Sequence, residues 1–312
     1  MELRHLRAFV TLAEELHFGR AAERLGIAQP PLSIQIQGLE AMLGVRLFER
    51  SRRHVELTEA GHLFLPEARA TLAQAERARQ TAQRAARGEM GELNIGFTGS
   101  APFNIALPRI ISRFRQRWPS LLMRLREMPT ADQIAALTQG GLDVGFVRPS
   151  LVEARPEVSL RTVLNERLLA VVPADHPLAG RASIGVADLA GDSFILHPRQ
   201  IGTGLYDKVM ELCGRAGFRP HVVLEAHQMS TIVSLTAAGV GVSIAPEAMS
   251  SIRVEGARFL PLTDPGAIMV LAIATRAEDH RPAISHFLDE VTAFLAWHDQ
   301  VGKMRDEGGL KQ

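Results

Sequence analysis

The segment from residue 59 to residue 88 constrains the architecture of this chain most, because it separates two stretches of different periodicity. It is rich in Ala, Gln, Glu and Arg, and it holds no Gly between His62 and Arg87. Apolar residues recur along it at a spacing of three or four positions that Arg79 interrupts, at Leu65, Ala68, Leu72, Ala75, Ala82 and Ala86. This pattern predicts a long linker helix whose narrow apolar stripe suits pairing with a second helix, although a solvated spacer helix would have a similar composition.

Residues 1–58 have the pattern of short helices followed by a hairpin. Apolar residues recur at helical spacing from Leu3 to Ala13. A second short helix is closed by Gly26, and a third begins at Pro30 or Pro31, where proline suits the first turn. Two short β-like runs follow, Val45–Phe48 and Val55–Leu57.

The stretch Phe18–Glu40 predicts a helix-turn-helix, and the hairpin after it predicts a wing. Amide and hydroxyl side chains on the open face of the second helix can reach base edges, and Gln pairs well with adenine. Arginines in the hairpin suit the minor groove or phosphates. We therefore expect DNA contacts from Gln29, Pro30, Ser33, Gln37, Arg50, Arg52 and Arg53. Taken singly, each of these features also fits an ordinary solvated surface.

From residue 92 onward, strand-like and helix-like runs alternate, which predicts an α/β domain with parallel sheets covered by helices. About 200 residues of this pattern indicate two lobes with a crevice between them. We assign residues 89–298 to this domain, with lobe I at about 92–163 and 267–298 and lobe II at about 164–266. Residues 299–312 contain three glycines and are expected to form a flexible tail.

Two candidate anion-binding positions lie where a predicted strand passes into a predicted helix. Gly99-Ser100 and Thr130 each offer backbone N–H groups and a hydroxyl at a positive helix end. Ordinary helix capping is the alternative for both. Arg148 follows another strand near the crevice, where it would contact a ligand or form an ion pair between the lobes.

Composition excludes several classes of protein. Lys and Arg total 35 against 34 Asp and Glu, so the chain is not basic throughout, and only Lys208, Lys303 and Lys311 are lysine. The lone Cys213 permits no intrachain disulfide.

No signal-peptide core and no apolar run of about 18 residues occurs, so we expect a cytoplasmic protein with no membrane partner. No phosphate-binding glycine loop, metal-ligand spacing or catalytic set is present, so we expect neither cofactor nor metal nor enzymatic activity.

Several motifs together closely resemble the LysR-type transcriptional regulators over the whole chain. They are the stretch Phe18–Ser33, Leu39-Glu40, Leu43-Gly44, Leu47–Arg50 and Leu57–Gly61. The resemblance implies an N-terminal α+β winged helix-turn-helix, a long linker helix that dimerises, and an α/β effector domain shaped like periplasmic binding proteins. It also implies a homotetramer, built as a dimer of dimers, that bends double-stranded promoter DNA and acts with RNA polymerase.

The effector half is similar to regulators of aromatic-compound catabolism, in Ile95–Ser100, Leu107–Ile111, Glu127–Thr130 and Leu142–Arg148. Those regulators sense benzoate, cis,cis-muconate and related acids, which implies a small carboxylate effector and an activated catabolic promoter. The resemblance implies that Ser100 and Thr130 bind the carboxylate and that the loop Pro198–Gly204 closes over the ligand. It also implies a further effector site at Arg161. The expected effector-binding residues are Gly99, Ser100, Thr130, Arg148, Pro198, Gln200 and Thr203.

The sequence departs from the family pattern in two places. Ile34 stands where many relatives carry Arg, which puts a transferred operator preference in doubt. Arg199 and Gln200 are polar for an aromatic pocket and suggest a second polar group on the effector. Two alternatives stay open: a LysR-type regulator of non-aromatic metabolism, and an α/β small-molecule binding protein or enzyme without a role at DNA.

Overall fold

The computed structural model describes residues 1–50, 55–149, 155–200 and 203–308. The chain forms two compact units, Met1–Ala86 and Arg87–Gln312. Each unit has its own buried apolar core.

The first unit consists of helices packed around an apolar core and a two-stranded antiparallel hairpin. Its elements are α1 (Leu3–Glu15), α2 (Phe18–Leu25), α3 (Gln29–Leu43), β1 (Phe48–Arg50), β2 (Val55–Leu57) and α4 (Glu59–Ala86). The apolar pattern predicted that the first strand begins at Val45, but strand β1 begins at Phe48. The reason is that the Glu40 carboxylate accepts from the N–H groups of Leu47 and Phe48, at 2.9 and 3.1 Å, which holds this segment against α3.

The start of α4 is fixed by contacts around Thr58. The Thr58 hydroxyl accepts from Gly61 N at 3.0 Å, which is an N-capping contact. Gly61 passes so close to the hairpin that a Cβ there would lie 2.2 Å from the Leu47 carbonyl oxygen. The first half of the predicted pairing stripe packs within this unit, since Ala68 is buried in its core and Leu65 and Leu72 pack against that core while half-buried. Only the later part of the stripe remains exposed.

The second unit combines a seven-stranded mixed sheet, a two-stranded parallel sheet and covering helices. Its elements are β3 (Gly91–Phe97), α5 (Ala106–Arg117), β4 (Leu121–Glu127), α6 (Thr130–Thr138), β5 (Val144–Val147), β6 (Val158–Pro173), β7 (Ser193–Leu196), α7 (Thr203–Arg215), β8 (His221–Glu225), α8 (Met229–Ala237), β9 (Ser243–Pro246), β10 (Ala257–Pro261), β11 (Ile268–Arg276) and α9 (Pro282–Gly308).

The expectation of purely parallel sheets was wrong for part of this unit. Strand β3 pairs in parallel with β4 and β5, and β7 pairs in parallel with β8. Strand β6 instead pairs antiparallel with β9, β10 and β11. Strands β10 and β11 therefore run in the same direction along successive parts of β6, and the six residues that join them suffice because no crossover is needed.

Two separate cores define the two lobes of this unit. The lobe I core contains Ile95, Phe114 and Phe287, and the lobe II core contains Phe194 and Ile232. Strand β6 runs without a break from one lobe into the other. The predicted fold class, a winged helix-turn-helix, a long helix and a two-lobed α/β domain, is therefore confirmed.

Helix α9 continues to Gly308, about ten residues beyond the point where we expected a flexible tail to begin. Gly302 within it costs roughly 1 kcal/mol relative to Ala, which is too little to end a helix anchored by upstream packing. Among the helices of the described ranges, none is both long enough and apolar enough to cross a membrane.

Candidate functional sites

Helix α3 presents a polar face beside the turn that joins it to α2. Gly26 ends α2 in the left-handed conformation, at a φ of 68°, and the prolines lie in the first turn of α3. Gln29, Pro30 and Gln37 are exposed, and Ser33 is half-buried. The opposite face, with Leu32, Ile36 and Leu39, is buried in the core. The polar side chains thus share one open face of α3, and their contact with DNA remains a prediction.

Ile34 lies on the open side of the same helix and is 68% exposed. Its apolar side chain is available for contact with a thymine methyl group, but it donates no hydrogen bond.

Arg50 is more constrained than the sequence suggested. Its guanidinium lies 2.7 Å from a Glu40 carboxylate oxygen and over the ring of Phe18. This pairing fastens the hairpin to α3 and reduces the charge available for a phosphate. Arg52 and Arg53, the other two predicted contacts of the wing, lie outside the described residues.

The second unit contains a cavity of about 420 Å³ between its lobes. Each polar group around it follows the carboxyl end of a parallel strand: Thr98 follows β3, Arg148 follows β5, and His197 follows β7. Glu127 ends β4, and His227 comes two residues after β8. Ligand crevices of open α/β sheets lie at this edge, because loops and helix N-termini gather there.

Arg148 lines this cavity, and its side chain is only 5% exposed. Its Nε donates to Ser100 Oγ at 2.9 Å, and its Nη2 donates to the Glu166 carboxylate. The other oxygen of Glu166 accepts from Ala248 N at 2.7 Å. The ion pair considered from the sequence is therefore present, and Arg148 also lines the cavity.

Neither Ser100 nor Thr130 caps a helix through its side chain. Helix α5 begins six residues after Ser100, at Ala106, whose N–H donates to Asn104 Oδ1 at 2.9 Å. Ser100 thus directly precedes a helix, as expected, but that helix is the short 3-10 helix Ala101–Phe103, and Asn104 rather than Ser100 caps α5. Thr130 does begin α6.

The two hydroxyls differ in what they can offer a ligand. Ser100 Oγ accepts from Arg148, so its own proton remains available for an anion. Thr130 Oγ1 accepts from Arg148 N at 3.1 Å and lies 3.4 Å from the Arg148 carbonyl oxygen. Its proton is thus directed to the backbone, and Thr130 mainly positions Arg148.

Three buried polar atoms of the cavity wall lack a hydrogen-bond partner within the described part of the chain: Arg148 Nη1, Thr98 Oγ1 and His197 Nδ1. Burial lowers the pKa of His197, although hydrogen bonds with backbone carbonyls of Ala226 and His227 oppose this effect. Buried polar groups are costly to leave unpaired, so their concentration in one cavity is typical of a binding site.

The predicted closing loop contributes to the cavity through different residues from those expected. Pro198 is buried and Gln200 is exposed, and neither is among the described lining residues, which instead include Leu205 and Gly204. A Cβ on Gly204 would lie 2.5 Å from the Arg148 carbonyl oxygen. Thr203 begins α7. Pro198, Gln200 and Thr203 remain predictions.

Gly99 lies in the cavity wall as predicted, and a Cβ there would lie 2.8 Å from Glu127 Oε1. Arg161 is outside this cavity, and its Nη1 donates to Thr292 Oγ1 at 2.8 Å. Within the described ranges, no group of three or more His, Cys, Asp and Glu side chains is placed to hold a metal ion.

Sequence reasoning missed the histidines that lobe II brings to the cavity wall, His197 and His227. It also missed Glu166, the ion-pair partner of Arg148. The rule about carboxyl ends of strands would have found His197, but β7 has only four residues and was not recognised as a strand. Glu166 lies inside the long strand β6. Nothing in the sequence around Glu166 predicts its ion pair with Arg148.

A winged helix-turn-helix joined to a two-lobed α/β domain with a polar cavity defines a DNA-binding transcriptional regulator with an effector-binding domain. Two family models match the chain: "Bacterial regulatory helix-turn-helix protein, lysR family" over residues 3–62, and "LysR substrate binding domain" over residues 86–296. The chain belongs to the LysR family of bacterial transcriptional regulators. Members of this family are regulators and not enzymes.

Individual proteins agree with this assignment. The transcriptional regulator YnfL of Escherichia coli (strain K12) is 41% identical over 288 residues, which cover 92% of this chain and 96% of YnfL. The crystal structure of CbnR, a LysR family transcriptional regulator, has a TM-score of 0.80 at 32% identity and covers 93% of this chain and 100% of CbnR. Full-length CbnR has also been solved with its target DNA, with a TM-score of 0.79 at 31% identity, covering 95% of this chain and 100% of that one.

The effector-binding domain of BenM has been solved with its effector benzoate. It has a TM-score of 0.60 at 31% identity and covers 67% of this chain and 93% of the BenM domain.

Proposed function

We propose that this regulator binds promoter DNA through α3 and the wing, and that a small carboxylate in the cavity controls its activity. The observation that carries the proposal is the buried Arg148 guanidinium in the cavity wall: its Nη1 has no partner within the described residues, and its Nε bonds Ser100 Oγ, whose proton is free to donate. A carboxylate in the cavity that reached both groups would accept from both, and the bond from the guanidinium would be charge-assisted.

Through the same arginine, a bound ligand would change the arrangement of the two lobes. Arg148 belongs to lobe I, and Glu166 connects it to Ala248 in lobe II. A carboxylate that competes with Glu166 for the guanidinium would change the balance between two arrangements of the lobes. In a homotetramer built as a dimer of dimers, such a change would alter the angle between DNA-binding pairs and thus the DNA bend. Activation of a catabolic promoter through RNA polymerase would follow from that bend.

The effector class is proposed from the benzoate bound by BenM. An aromatic acid or its ring-cleavage product is therefore the first candidate. A non-aromatic carboxylate is the second, and the cavity wall favours it, because its described residues include no Phe, Tyr or Trp. Apolar contacts instead come from side chains such as Met128, Leu205 and Met229.

Fluorescence anisotropy with a labelled duplex from the region upstream of its own gene tests the DNA contacts. Gln37→Ala should lower the ratio of specific to nonspecific affinity about tenfold, because a good base contact contributes roughly 1–3 kcal/mol. Arg53→Ala should reduce the salt dependence by about one phosphate contact without changing base preference. Gln116→Ala and Arg181→Ala, at exposed positions of the second unit, are the matched controls. Unchanged binding in both Gln37→Ala and Arg53→Ala would refute the assignment.

Calorimetry of the full chain with benzoate, cis,cis-muconate and short aliphatic acids tests the effector site. The double variant Ser100→Ala/Thr130→Ala should lose acid binding and the effector response, while operator binding remains. Ser234→Ala is the matched control, because its hydroxyl bonds only the exposed backbone of α8. An acid response that survives in the double variant would place the effector elsewhere.

A further inference from the structure

The far side of the cavity differs in chemistry from the Arg148 side. Around Arg148 the available groups donate, since Nη1 and the Ser100 hydroxyl both carry protons that a carboxylate can accept. Across the cavity, lobe II contributes His197, whose Nδ1 is buried and without a partner within the described residues. A simple monocarboxylate satisfies only the first of these two sides.

The hydrogen bonds of His197 determine what its free nitrogen can do. The backbone carbonyls of Ala226 and His227 oppose the lowering of the His197 pKa, which means that they face an N–H of the ring. Because Nδ1 has no partner within the described residues, we assign that N–H to Nε2. A neutral imidazole has one donor and one acceptor nitrogen, which leaves Nδ1 as the acceptor. Burial favours this neutral form. A ligand must therefore present a hydrogen-bond donor to satisfy His197.

We propose that the effector carries a hydrogen-bond donor, a hydroxyl or an amino group, in addition to its carboxylate, and that this donor binds His197 Nδ1. This inference rests on the proposed function, because it places the carboxylate at Arg148 and Ser100. Effectors of this kind are hydroxy acids or amino acids, on either an aliphatic or an aromatic skeleton. Thr98 Oγ1, also unpartnered in the cavity wall, can accept from or donate to the same group.

Matched pairs of acids, titrated into the full chain by calorimetry at pH 7.5, test the inference. Butyrate is compared with 3-hydroxybutyrate and 3-aminobutyrate, and benzoate with 3- and 4-hydroxybenzoate. At least one donor-bearing acid should bind about tenfold more tightly than its unsubstituted partner, because the latter leaves a buried acceptor unpaired. The hydroxyl and amino members of the series show which donor the site selects.

Variants at His197 show whether this residue causes the preference for acids that carry a hydrogen-bond donor. In His197→Phe the ratio of the two affinities should fall to about one, whereas His197→Gln, which restores an acceptor oxygen, should recover part of it. His221→Phe, at an exposed position of the same lobe, should keep the wild-type ratio. If His197→Phe does not fold, the wild-type pairs and His197→Gln still decide the question.

Each remaining outcome is decisive. Equal affinities for unsubstituted and donor-bearing acids in the wild type would overturn this inference and leave the proposed carboxylate site standing. A preference for donor-bearing acids that persists in His197→Phe would also overturn it. Failure of every acid to bind would overturn both the inference and the proposed function.

Discussion

The guanidinium of Arg148 and the carboxylate of Glu166 form a buried ion pair that joins the two lobes of the second unit. Their side chains are 5% and 7% exposed. Glu166 also accepts from Ala248 N at 2.7 Å, so one carboxylate holds a lobe I cation and a lobe II backbone group at once. The pair keeps Arg148 in the cavity wall while leaving Nη1 unpartnered.

Removing the charge of Glu166 should therefore destabilise the second unit strongly. Glu166→Gln leaves the Arg148 guanidinium buried without its counterion, which typically costs about 3–5 kcal/mol. Urea unfolding followed by tryptophan fluorescence measures this, because Trp118 and Trp297, the only tryptophans, both lie in the second unit. Glu92→Gln is the matched control, since Glu92 pairs with Arg124 on an exposed surface, where such pairs contribute about 0–1 kcal/mol. Equal effects of the two substitutions would contradict the structural role given to Glu166.

A second carboxylate should make the stability of this unit depend on pH. Hydrogen bonds from Arg281 and Arg276 lower the pKa of Asp279 from 3.8 to about 2. Because the pKa is lower in the folded state, the stabilisation is complete above about pH 4 and is lost as the pH falls towards 2. Between pH 5 and pH 3 the wild type should lose about 1 kcal/mol more than Asp279→Asn, measured by urea unfolding. Parallel pH profiles for the two proteins would show that Asp279 does not titrate in this way.

The lone cysteine should be chemically inert in the folded protein. Burial raises the pKa of Cys213 to about 11, so roughly one thiol in a thousand is ionised at pH 8. We expect a disulfide reagent such as DTNB to label the native chain far more slowly than the chain unfolded in urea. Rapid labelling of the native protein would mean that the helix carrying Cys213 opens readily.

The sequence predicted the elements whose signals are local. Gly26, Pro30 and the residues that follow them specify the two helices and the turn by spacing alone, and the structure has them in place. The hydroxyl of Thr58 likewise acts through a local contact, because it accepts from Gly61 N only three residues further on. Strand–helix alternation gave the two-lobed α/β domain.

Features that depend on long-range contacts could not be predicted in this way. Glu166 is separated from Arg148 by 18 positions along the chain, and the residues next to either one carry no signal that predicts their ion pair. The role of Asn104 as the cap of α5 displaced Ser100 from the position assigned to it. Leu72 was assigned to a helix-pairing stripe, yet it packs partly into the core of its own unit, because α1 lies alongside α4.

Gly61 offers a sharp test of the junction between the hairpin and α4. Gly61→Ala would place a Cβ 2.2 Å from the Leu47 carbonyl oxygen, and backbone atoms cannot move aside cheaply. We expect a loss of about 1–3 kcal/mol or more in the stability of the first unit, with weaker DNA binding as a consequence. Gly38→Ala is the matched control in α3, because nothing lies within 4 Å of the added Cβ and Ala favours a helix by roughly 0.5–1 kcal/mol. Thermal unfolding followed by circular dichroism reports on both units, and tryptophan fluorescence, which reports on the second unit alone, serves as the internal reference. If Gly61→Ala unfolds at the same temperature as Gly38→Ala, the close approach of α4 to Leu47 is not what holds this junction.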